Sequence, residues 1–564
     1  MSAAGRPSLF GELFAGRVRW DLLQPFPEQD AGDRADGDTT ITELAALLRE
    51  RTDPTEIDLS GNLPQGFAEE LAAQGFLAMS GDRRAGGRGL SAMNTFRVIQ
   101  AAASWSNGIG LLMSVGNGLG SGAYLPLLPA GRLRDVISSW GPGLISGGAD
   151  TEAQGAGNRL RTTTATPVAG GRAYLLNGEK IFIGNAPIAG LMDVSATILD
   201  GTDPPRVGLF FVDLADPGVQ RGPRHDFLGF HGSPNGVLRL HDVRVSRELA
   251  LGGDSEWRDV PELGALMGLA RLYIIAAPAL AAMKLCLSWS TRFADRRVVD
   301  GLALAAYDHI RELVAATAAD LYAAEAVVRW CLLADDRADT RLERTEAKNL
   351  TSMAAWRAVD RTMSLMGGEG LETAASKARR GAEPIPLERI FRDVRGLRVA
   401  GGVDFQVDNW SAQSGLFSAH YRGEVAVHAA GVLVGLGEAV PPPRYRAELD
   451  YVARQAGRWS AATARYVGQF PDPAELYARA LIPITMNRIG AQLLAMALVL
   501  ARAAADTANP QAGDLAEAFC ARARRRVSDL WNRLDEDGRD RRRRVMDAVH
   551  DEYVAAALLD GLIT

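Results

Sequence analysis

Residues 151–186 read TEAQGAGNRLRTTTATPVAGGRAYLLNGEKIFIGNA, and this stretch decides the fold. The NG dipeptide at 177–178 lies between two apolar runs and predicts a two-residue β-hairpin turn, because both positions tolerate positive φ angles. The β-branched run at 162–166 and the AGG break at 169–171 predict another strand and turn upstream. A compact antiparallel β unit is therefore expected in a chain that otherwise shows helical periodicity.

The pattern outside this unit predicts an α+β, mainly helical protein with further strands up to residue 245. The long helices are expected at about 262–293, 303–335, 341–366 and 404–436, and the prolines at 441–443 predict a linker. The predicted parts are a loosely attached N-terminal arm (1–40), an N-terminal helical domain (41–147), a middle antiparallel β domain (148–255), a C-terminal four-helix domain (256–438) and an extra C-terminal helical domain (445–564).

Composition indicates an ordinary soluble protein. The formal net charge of -6 over 564 residues argues against a dedicated nucleic-acid binder. Cys286, Cys331 and Cys520 lie far apart and are expected to be buried thiols in a reducing compartment, and no spacing predicts a metal site. No secretory signal and no run of about 18 apolar residues is evident, so we expect a cytoplasmic protein without a membrane span.

Seven motifs, in this order along the chain, resemble those of the acyl-CoA dehydrogenase superfamily over roughly residues 40–435. They are GGRGLS (86–91), TE (151–152), NGEKIFIGNA (177–186), LGFHGS (228–233), HDVRV (241–245), MGGEG (366–370) and LERIFRD (387–393). One glycine motif would be weak evidence, whereas seven in order are specific. The resemblance implies a helical domain, a middle β domain and a four-helix domain, here followed by a C-terminal helical extension.

In that family the β domain forms one wall of the FAD site. The acyl thioester lies between the flavin and a carboxylate that removes the α-proton, while a hydride leaves the β-carbon. The resemblance therefore implies FAD as cofactor and an acyl thioester of CoA or of a carrier protein as substrate.

Both positions at which the family carries its catalytic carboxylate hold other residues here. Alignment from Arg392-Asp393 places the first position on Gly401, and the helix at 268–277 places the second on Ala270. Neither residue can accept a proton. The sequence thus predicts a family member with a rebuilt or inactive site.

The flavin contacts implied by the resemblance also depart from the family pattern. Phe182 replaces the usual aromatic residue and can still pack on a ring, but Gly184 replaces the threonine that touches N5. Gly157-Asn158 replaces the Ser-Asp pair that ends the family's TEPGAGSD loop, and Gly157 is a candidate for substrate binding. Val403 and Ser364 replace a threonine and a glutamine. Retained candidates for FAD are Thr151, Arg297, Gly367 and Gly368, although Asp300 replaces the phenylalanine that follows Arg297 in the family motif.

Three residues are candidates for a substitute base. Asp404, three residues beyond the vacant position, would reach the cavity only if the loop took another route, and its alternative role is to cap the following helix. Asp408 lies one helical turn later. Tyr273 follows Ala270 by one turn, and it either lines the substrate pocket or belongs to the core.

Several other polar residues admit a structural interpretation. Glu152 and Lys180 are expected to serve the architecture of the β domain, and Thr151 contacts either the flavin or its own turn. Arg297 is either a phosphate ligand or an exposed helix arginine. His225 and His231 lack metal-ligand spacing and are expected to be structural or exposed.

The sequence leaves the function open among three hypotheses. The first is a flavin-dependent desaturation of an acyl thioester or a related flavin reaction. The second is a divergent enzyme of specialised metabolism that uses the acyl pocket without flavin redox chemistry, and the third is a non-catalytic subunit beside an active homologue. The extension favours a homodimer, and its arginine runs at 522–526 and 541–544 are expected to be solvated rather than bound to nucleic acid.

Overall fold

The computed structural model describes residues 5–155, 157–202, 204–251, 261–437, 440–535 and 538–562. The predicted boundary between the middle and C-terminal domains, at 255/256, lies outside the described residues. In the described part, the chain runs from helices into a sheet and back into helices, in the predicted order.

The N-terminal part is helical except for one short strand. Its elements are α1 (Leu9–Phe14), β1 (Arg17–Arg19), α2 (Trp20–Leu23), α3 (Ala31–Arg51), α4 (Pro54–Ser60), α5 (Phe67–Ala73), α6 (Ala92–Trp105), α7 (Asn107–Gly118) and α8 (Arg132–Ser139). Ser91, at the end of the GGRGLS motif, caps α6 by accepting a hydrogen bond from the Asn94 N–H.

The expected loose arm over residues 1–40 is wrong for its described part. Leu9, Phe10 and Trp20 are almost completely buried in the main core. The carboxylate of Glu343 accepts hydrogen bonds from the Phe10 N–H (2.9 Å) and the Ser8 hydroxyl (3.0 Å), which fixes the start of α1. The apolar positions of this segment therefore belong to a packed helix.

The middle part is one eight-stranded sheet. Its strands are β2 (Ser146–Ala149), β3 (Thr164–Val168), β4 (Ala173–Gly184), β5 (Leu191–Ile198), β6 (Val207–Asp213), β7 (Val219–Arg224), β8 (Asn235–Ser246) and β9 (Ala250–Leu251). The order is β7-β8-β4-β3-β5-β6-β9, and β2 adds to β5. Pairing is mostly antiparallel, as expected, but β5 runs parallel to both β2 and β3.

The predicted hairpin turn at Asn177-Gly178 is wrong. Strand β4 continues through it with a bulge in its pairing to β8, and the true turn between β3 and β4 lies at 169–171, where φ is positive at all three residues. Gly178 has φ 150°, and a Cβ there would lie 2.7 Å from the Cα of Thr163. Glycine is needed for this close approach and bulge rather than for a turn.

The C-terminal part is a helical bundle. It contains α9 (Pro261–Arg271), a π-helical turn (Leu272–Ala276), α10 (Ala277–Arg296), β10 (Val298–Val299), β11 (Leu302–Ala303), α11 (Asp308–Leu333), α12 (Arg341–Met366), α13 (Gly368–Leu371), α14 (Ala374–Arg379), α15 (Leu387–Leu397), α16 (Asp404–Ser411), a second π-helical turn (Ala412–Phe417) and α17 (Ser418–Tyr421). The helix predicted over 404–436 therefore ends at Tyr421. Beyond it, β12 (Val432–Val434) pairs in parallel with β1.

The extension begins at the last of the three prolines, because Pro443 occupies the first turn of its first helix. It comprises α18 (Pro443–Gln469), α19 (Pro473–Tyr477), α20 (Leu481–Ala505), α21 (Ala512–Asp535), α22 (Arg539–Val549) and α23 (Glu552–Leu558). Two segments, Leu263–Arg296 and Leu481–Ala505, are long and apolar enough to span a membrane. However, 83% of an apolar 18-residue part of each segment is buried within the protein. This burial is typical of core helices.

Candidate functional site

An exposed aromatic ring marks the wall of the candidate site. Phe182 is 52% exposed and has φ 58°, a conformation that an aromatic residue rarely adopts. Its N–H donates to Nε2 of His225 at 3.1 Å, and the rings of His225 and Phe227 lie 4.6 and 6.1 Å from its own. The backbone is thus held in a strained state that presents a flat apolar surface.

Gly184, two residues after Phe182, has no side chain, and the structure leaves little space for one. A Cβ at Gly184 would lie 3.0 Å from Cγ2 of Val115, on α7. Val115 therefore fills the space into which the family threonine would project. The sequence revealed the missing hydroxyl, but not the residue that replaces its volume.

Glu152 and Lys180 form a buried ion pair beneath the wall. Lys180 Nζ lies 2.9 Å from Glu152 Oε1, and the two side chains are 0% and 4% exposed. Burial alone would raise the pKa of Glu152, but hydrogen bonds from Lys180 and Thr163 lower it to about 2. The structural interpretation of this pair agrees with its contacts.

Thr151 lies in the loop that this ion pair supports. Its carbonyl accepts the N–H of Ile181 at 3.0 Å, which joins the loop to β4 directly before Phe182. The loop at Thr151 therefore lies beside β4, next to Phe182 on the sheet side of the candidate site.

Both vacant base positions lie in the C-terminal helical part of the fold. Gly401 is exposed, has φ 66°, and a Cβ there would lie 3.5 Å from Cγ1 of Ile275, an ordinary contact. Ala270 is buried at the end of α9, and its Cα lies 2.9 Å from the position of a Cβ on Gly118. Close helix packing thus occupies the second position, whereas the first stays open.

Asp404 does not face this space with a free carboxylate. Its Oδ2 accepts Nε of Arg398 at 2.9 Å and also the Arg398 Nη2, and its Oδ1 accepts the Phe405 N–H at 2.7 Å. Burial opposes ionisation, but Arg398 lowers the pKa of Asp404 overall. An ion-paired carboxylate of low pKa is a poor proton acceptor, so the geometry does not support the predicted role of Asp404 as a base.

Tyr273 is equally unsuited to the role predicted for it. The side chain is 1% exposed, and its hydroxyl donates to the carbonyl of Ala92 at 3.4 Å. Burial raises the pKa of Tyr273 above its ordinary value. Tyr273 thus belongs to the π-helical turn and packs in the core against the start of α6, and these contacts do not support a place in the substrate pocket.

Asp408 belongs to a buried network that joins the bundle to the extension. Its carboxylate accepts Nε of Arg488 at 2.6 Å and Nδ2 of Asn487 at 3.2 Å, both from α20. Asn487 also donates to Glu346 at 2.9 Å, and Glu346 accepts the hydroxyl of Ser411. Asp408 is therefore a structural residue at this interface.

The Glu346 network predicts an unusual pH dependence of stability. Burial raises the pKa of Glu346 to about 8 and that of Glu343 to about 7, against an ordinary value of 4.5. Between pH 4.5 and about 7 to 8, the folded chain therefore binds more protons than the unfolded chain. The free energy of unfolding should fall as pH rises through this window, by up to about 1.4 kcal/mol per pH unit for each carboxyl group.

The variant Glu346→Gln should flatten this decline between pH 6 and 8 in denaturant unfolding followed by circular dichroism. The exposed Glu50→Gln provides the control and should keep the wild-type slope. Equal slopes for wild type and Glu346→Gln would show that Glu346 is ionised in the folded protein at neutral pH.

Two cations that the sequence did not single out lie beside the vacant positions. Arg271 follows Ala270, and its guanidinium lies 5.5 Å from the centre of the Trp410 ring, with no carboxylate partner among the described residues. Lys348 Nζ donates to the carbonyl of Gly402 at 2.6 Å. Burial lowers the pKa of Lys348 to about 8, and the nearby charge of Arg271 acts in the same direction. Arg271 lies on α9 and Lys348 on α12, and the packing of these two helices brings the two cations together.

The remaining candidates fall into two groups. Gly157 lies in the first group, near the vacant base position at Gly401. A Cβ on Gly157 would lie 2.3 Å from Nε2 of Gln406, on α16. Arg297, Gly367 and Gly368 form the second, at the ends of α10 and α12. All three are exposed, and no atom lies within 4 Å of a Cβ placed on either glycine.

Arg392 and Asp393 join the three parts of the fold. Arg392 Nη2 lies 2.6 Å from Asp58 Oδ2 on α4, and Asp393 accepts the Phe230 N–H at 2.6 Å. His231 Nδ1 also meets Asp58, at 3.0 Å. Motif residues retained here thus hold the domains together.

Family models match three segments of the chain. They describe the acyl-CoA dehydrogenase N-terminal domain at residues 39–131, the middle domain at 148–243 and the C-terminal domain at 265–405. The predicted order of domains and the matched segments agree.

Individual relatives show how far the likeness extends. The chain is 29% identical to the probable acyl-CoA dehydrogenase FadE10 of Mycobacterium tuberculosis, over 94% of this chain and 86% of that one. An acyl-CoA dehydrogenase of Bacillus anthracis, solved with FAD, superposes with TM-score 0.75 at 19% identity and covers 96% of this chain and 94% of that one. The prolyl acyl carrier protein oxidase AnaB gives TM-score 0.58 at 20% identity, covering 69% and 99%. The first two likenesses thus extend into the C-terminal extension.

Proposed function

The chain belongs to the acyl-CoA dehydrogenase superfamily, and we propose that it is an FAD-binding protein that holds an acyl thioester without offering it a carboxylate base. Two observations carry the proposal: Phe182 is strained and exposed beside the Thr151 loop, and the two positions of the family's carboxylate hold Gly401 and Ala270. The thioester is one of CoA or of a carrier protein, since relatives of both kinds share the fold.

The exposed ring of Phe182 is suited to packing against a flavin ring. Phe182 offers an apolar face, and the neighbouring loop around Thr151 is fixed by the Glu152–Lys180 pair. Bound FAD would supply a two-electron acceptor. Gly184 leaves the wall without a side-chain hydroxyl, so ring packing and backbone contacts would carry the binding.

The helical side determines which reaction is available. Removal of an α-proton needs an acceptor within hydrogen-bond reach of the substrate and with a suitable pKa. Asp404 is paired with Arg398 and Tyr273 is buried, while Arg271 and Lys348 add positive charge to the same region. This charge would stabilise an anionic group on the substrate. We therefore expect little desaturation of a simple saturated acyl thioester and favour a related flavin reaction on a more acidic substrate.

The same observations support a second candidate, a non-catalytic subunit. Such a subunit would bind the thioester or FAD and would associate with a homologue that carries the missing glutamate. The exposed positions of Arg297, Gly367 and Gly368 offer accessible surface for a partner chain, either a second copy or that homologue. Co-purification with a glutamate-bearing homologue would favour this candidate over a homodimer.

FAD binding provides the test of the proposal. Purified protein, reconstituted with FAD, should absorb near 450 nm, and Phe182→Ala should weaken FAD binding at least about 10-fold, because it removes the ring contact. Leu199→Ala, which truncates an equally exposed side chain directly after β5, should leave the affinity unchanged. Wild-type protein that retains no FAD after reconstitution would refute the proposal.

A further inference from the structure

A cluster of arginines at the junction of the bundle and the extension carries an excess of positive charge. Asp320, on α11, is completely buried, and four guanidinium groups surround it. The nitrogen–oxygen distances are 2.8 Å for Arg361, 3.1 Å for Arg522, 3.4 Å for Arg526 and 3.5 Å for Arg357. Two of these arginines lie on α12 and two on α21.

One carboxylate cannot balance four cations. Burial alone would raise the pKa of Asp320, yet the arginines hold it well below its ordinary value, so the group is ionised. Burial and the neighbouring charge of Arg357 lower the pKa of Arg526 to about 10, which leaves it protonated at neutral pH. Among the described residues, the cluster therefore has three positive charges that no carboxylate balances, and the four arginine side chains are only 16–31% exposed, so water screens this excess in part.

Several donors of the cluster lack an acceptor. Nε of Arg522 is buried without a hydrogen-bond partner. Arg357 reaches Asp320 only through Nε, and in the part of the chain that the structure describes its two terminal amino groups have no acceptor. The charge excess and the unpaired Nε of Arg522 both favour a bound anion, and the amino groups of the 31% exposed Arg357 are open to water or to such an ion.

A cavity lies beside Arg357 and Arg526. Its volume is about 20 Å³, and its polar lining consists of Asp320, Arg357, Arg526 and Gln492 from α20. A water molecule needs roughly 10–15 Å³ by this measure, so the space suits a water or a monatomic ion but is too small for a tetrahedral oxyanion. Water would fill the cavity without balancing the charge.

We propose that this cavity binds a chloride-sized anion, held by Arg357 and Arg526, which joins the C-terminal extension to the helical bundle. The bound ion would accept the free guanidinium N–H groups and replace part of the missing negative charge. Because α11 and α12 belong to the bundle and α20 and α21 to the extension, loss of the ion would weaken this contact specifically. The site is independent of the flavin and thioester sites proposed above.

Bromide provides a direct probe. Crystals of the full-length protein soaked in bromide should show an anomalous peak between the guanidinium groups of Arg357 and Arg526. At equal ionic strength, chloride or bromide should also raise the thermal midpoint by about 2 °C or more relative to gluconate.

Two variants separate this site from general salt effects. Arg526→Gln should lose the peak and the halide-dependent shift, whereas Arg525→Gln, which changes an exposed arginine one position away, should keep both. If Arg526→Gln fails to fold, Arg357→Gln gives the same readout. A wild-type map without an anomalous peak at this position would overturn the proposal, as would a peak that persists in Arg526→Gln.

Discussion

Gly401→Glu is expected to convert the protein into a much faster acyl-CoA oxidant. The introduced carboxylate would occupy the open base position, where Arg271 and Lys348 favour its ionised form. A positioned general base contributes roughly 100- to 10,000-fold to a rate. We therefore expect anaerobic bleaching of bound flavin by a saturated acyl-CoA to accelerate by at least about 100-fold.

The local structure admits this substitution at a moderate cost. The Cβ would meet Ile275 at 3.5 Å without overlap, although φ 66° costs a non-glycine residue about 1–2 kcal/mol. Gly401→Gln provides the matched control, because it has the same shape and the same backbone strain but cannot accept the proton. Equal rates for the two variants would show that the α-proton does not pass through this position.

Ala270→Glu should be far less effective. Ala270 is buried where α9 packs against Gly118, and a longer side chain would force the helices apart. The two vacant positions, which look equivalent in the sequence, therefore differ in the structure.

Lys180→Met is expected to have the largest effect on stability. It would leave Glu152 buried without its cation, a change that typically costs about 3–5 kcal/mol. Denaturant unfolding should show this loss, and FAD should bind more weakly because the loop at Thr151 would lose its support.

An exposed ion pair in the same sheet provides the control for this prediction. Arg239 and Glu179 lie 2.6 Å apart and are about 40% exposed. Arg239→Met should therefore cost less than about 1 kcal/mol. A similar loss of unfolding free energy for both variants would contradict the prediction that burial makes the Glu152–Lys180 pair more important for stability.

The motif order predicted the fold, because each motif is tied to one local geometry. The GGRGLS motif ends in the helix cap at Ser91, and the Arg392-Asp393 motif joins three domains. In contrast, the prediction of a hairpin turn at Asn177-Gly178 is wrong, because β4 continues through these residues. A glycine required by a close approach to Thr163 looks the same in sequence as a glycine required by a turn.

The candidate site was predictable only in part. Spacing located the two vacant base positions and the aromatic wall, since these depend on local motifs. It did not reveal Val115 behind Gly184, the pairing of Asp404 with Arg398, or the approach of Arg271 to Lys348. These contacts join segments far apart in the chain or depend on side-chain orientation, so no periodicity records them.

The most direct test of the central claim is anaerobic mixing of FAD-loaded wild-type protein with a saturated acyl-CoA in D₂O, with absorbance at 450 nm and α-proton exchange followed together. A chain with a flavin wall and no carboxylate base should show neither rapid bleaching nor α-deuteration, while Gly401→Glu should show at least one of them. Rapid bleaching and α-deuteration by the wild-type protein would contradict the claim.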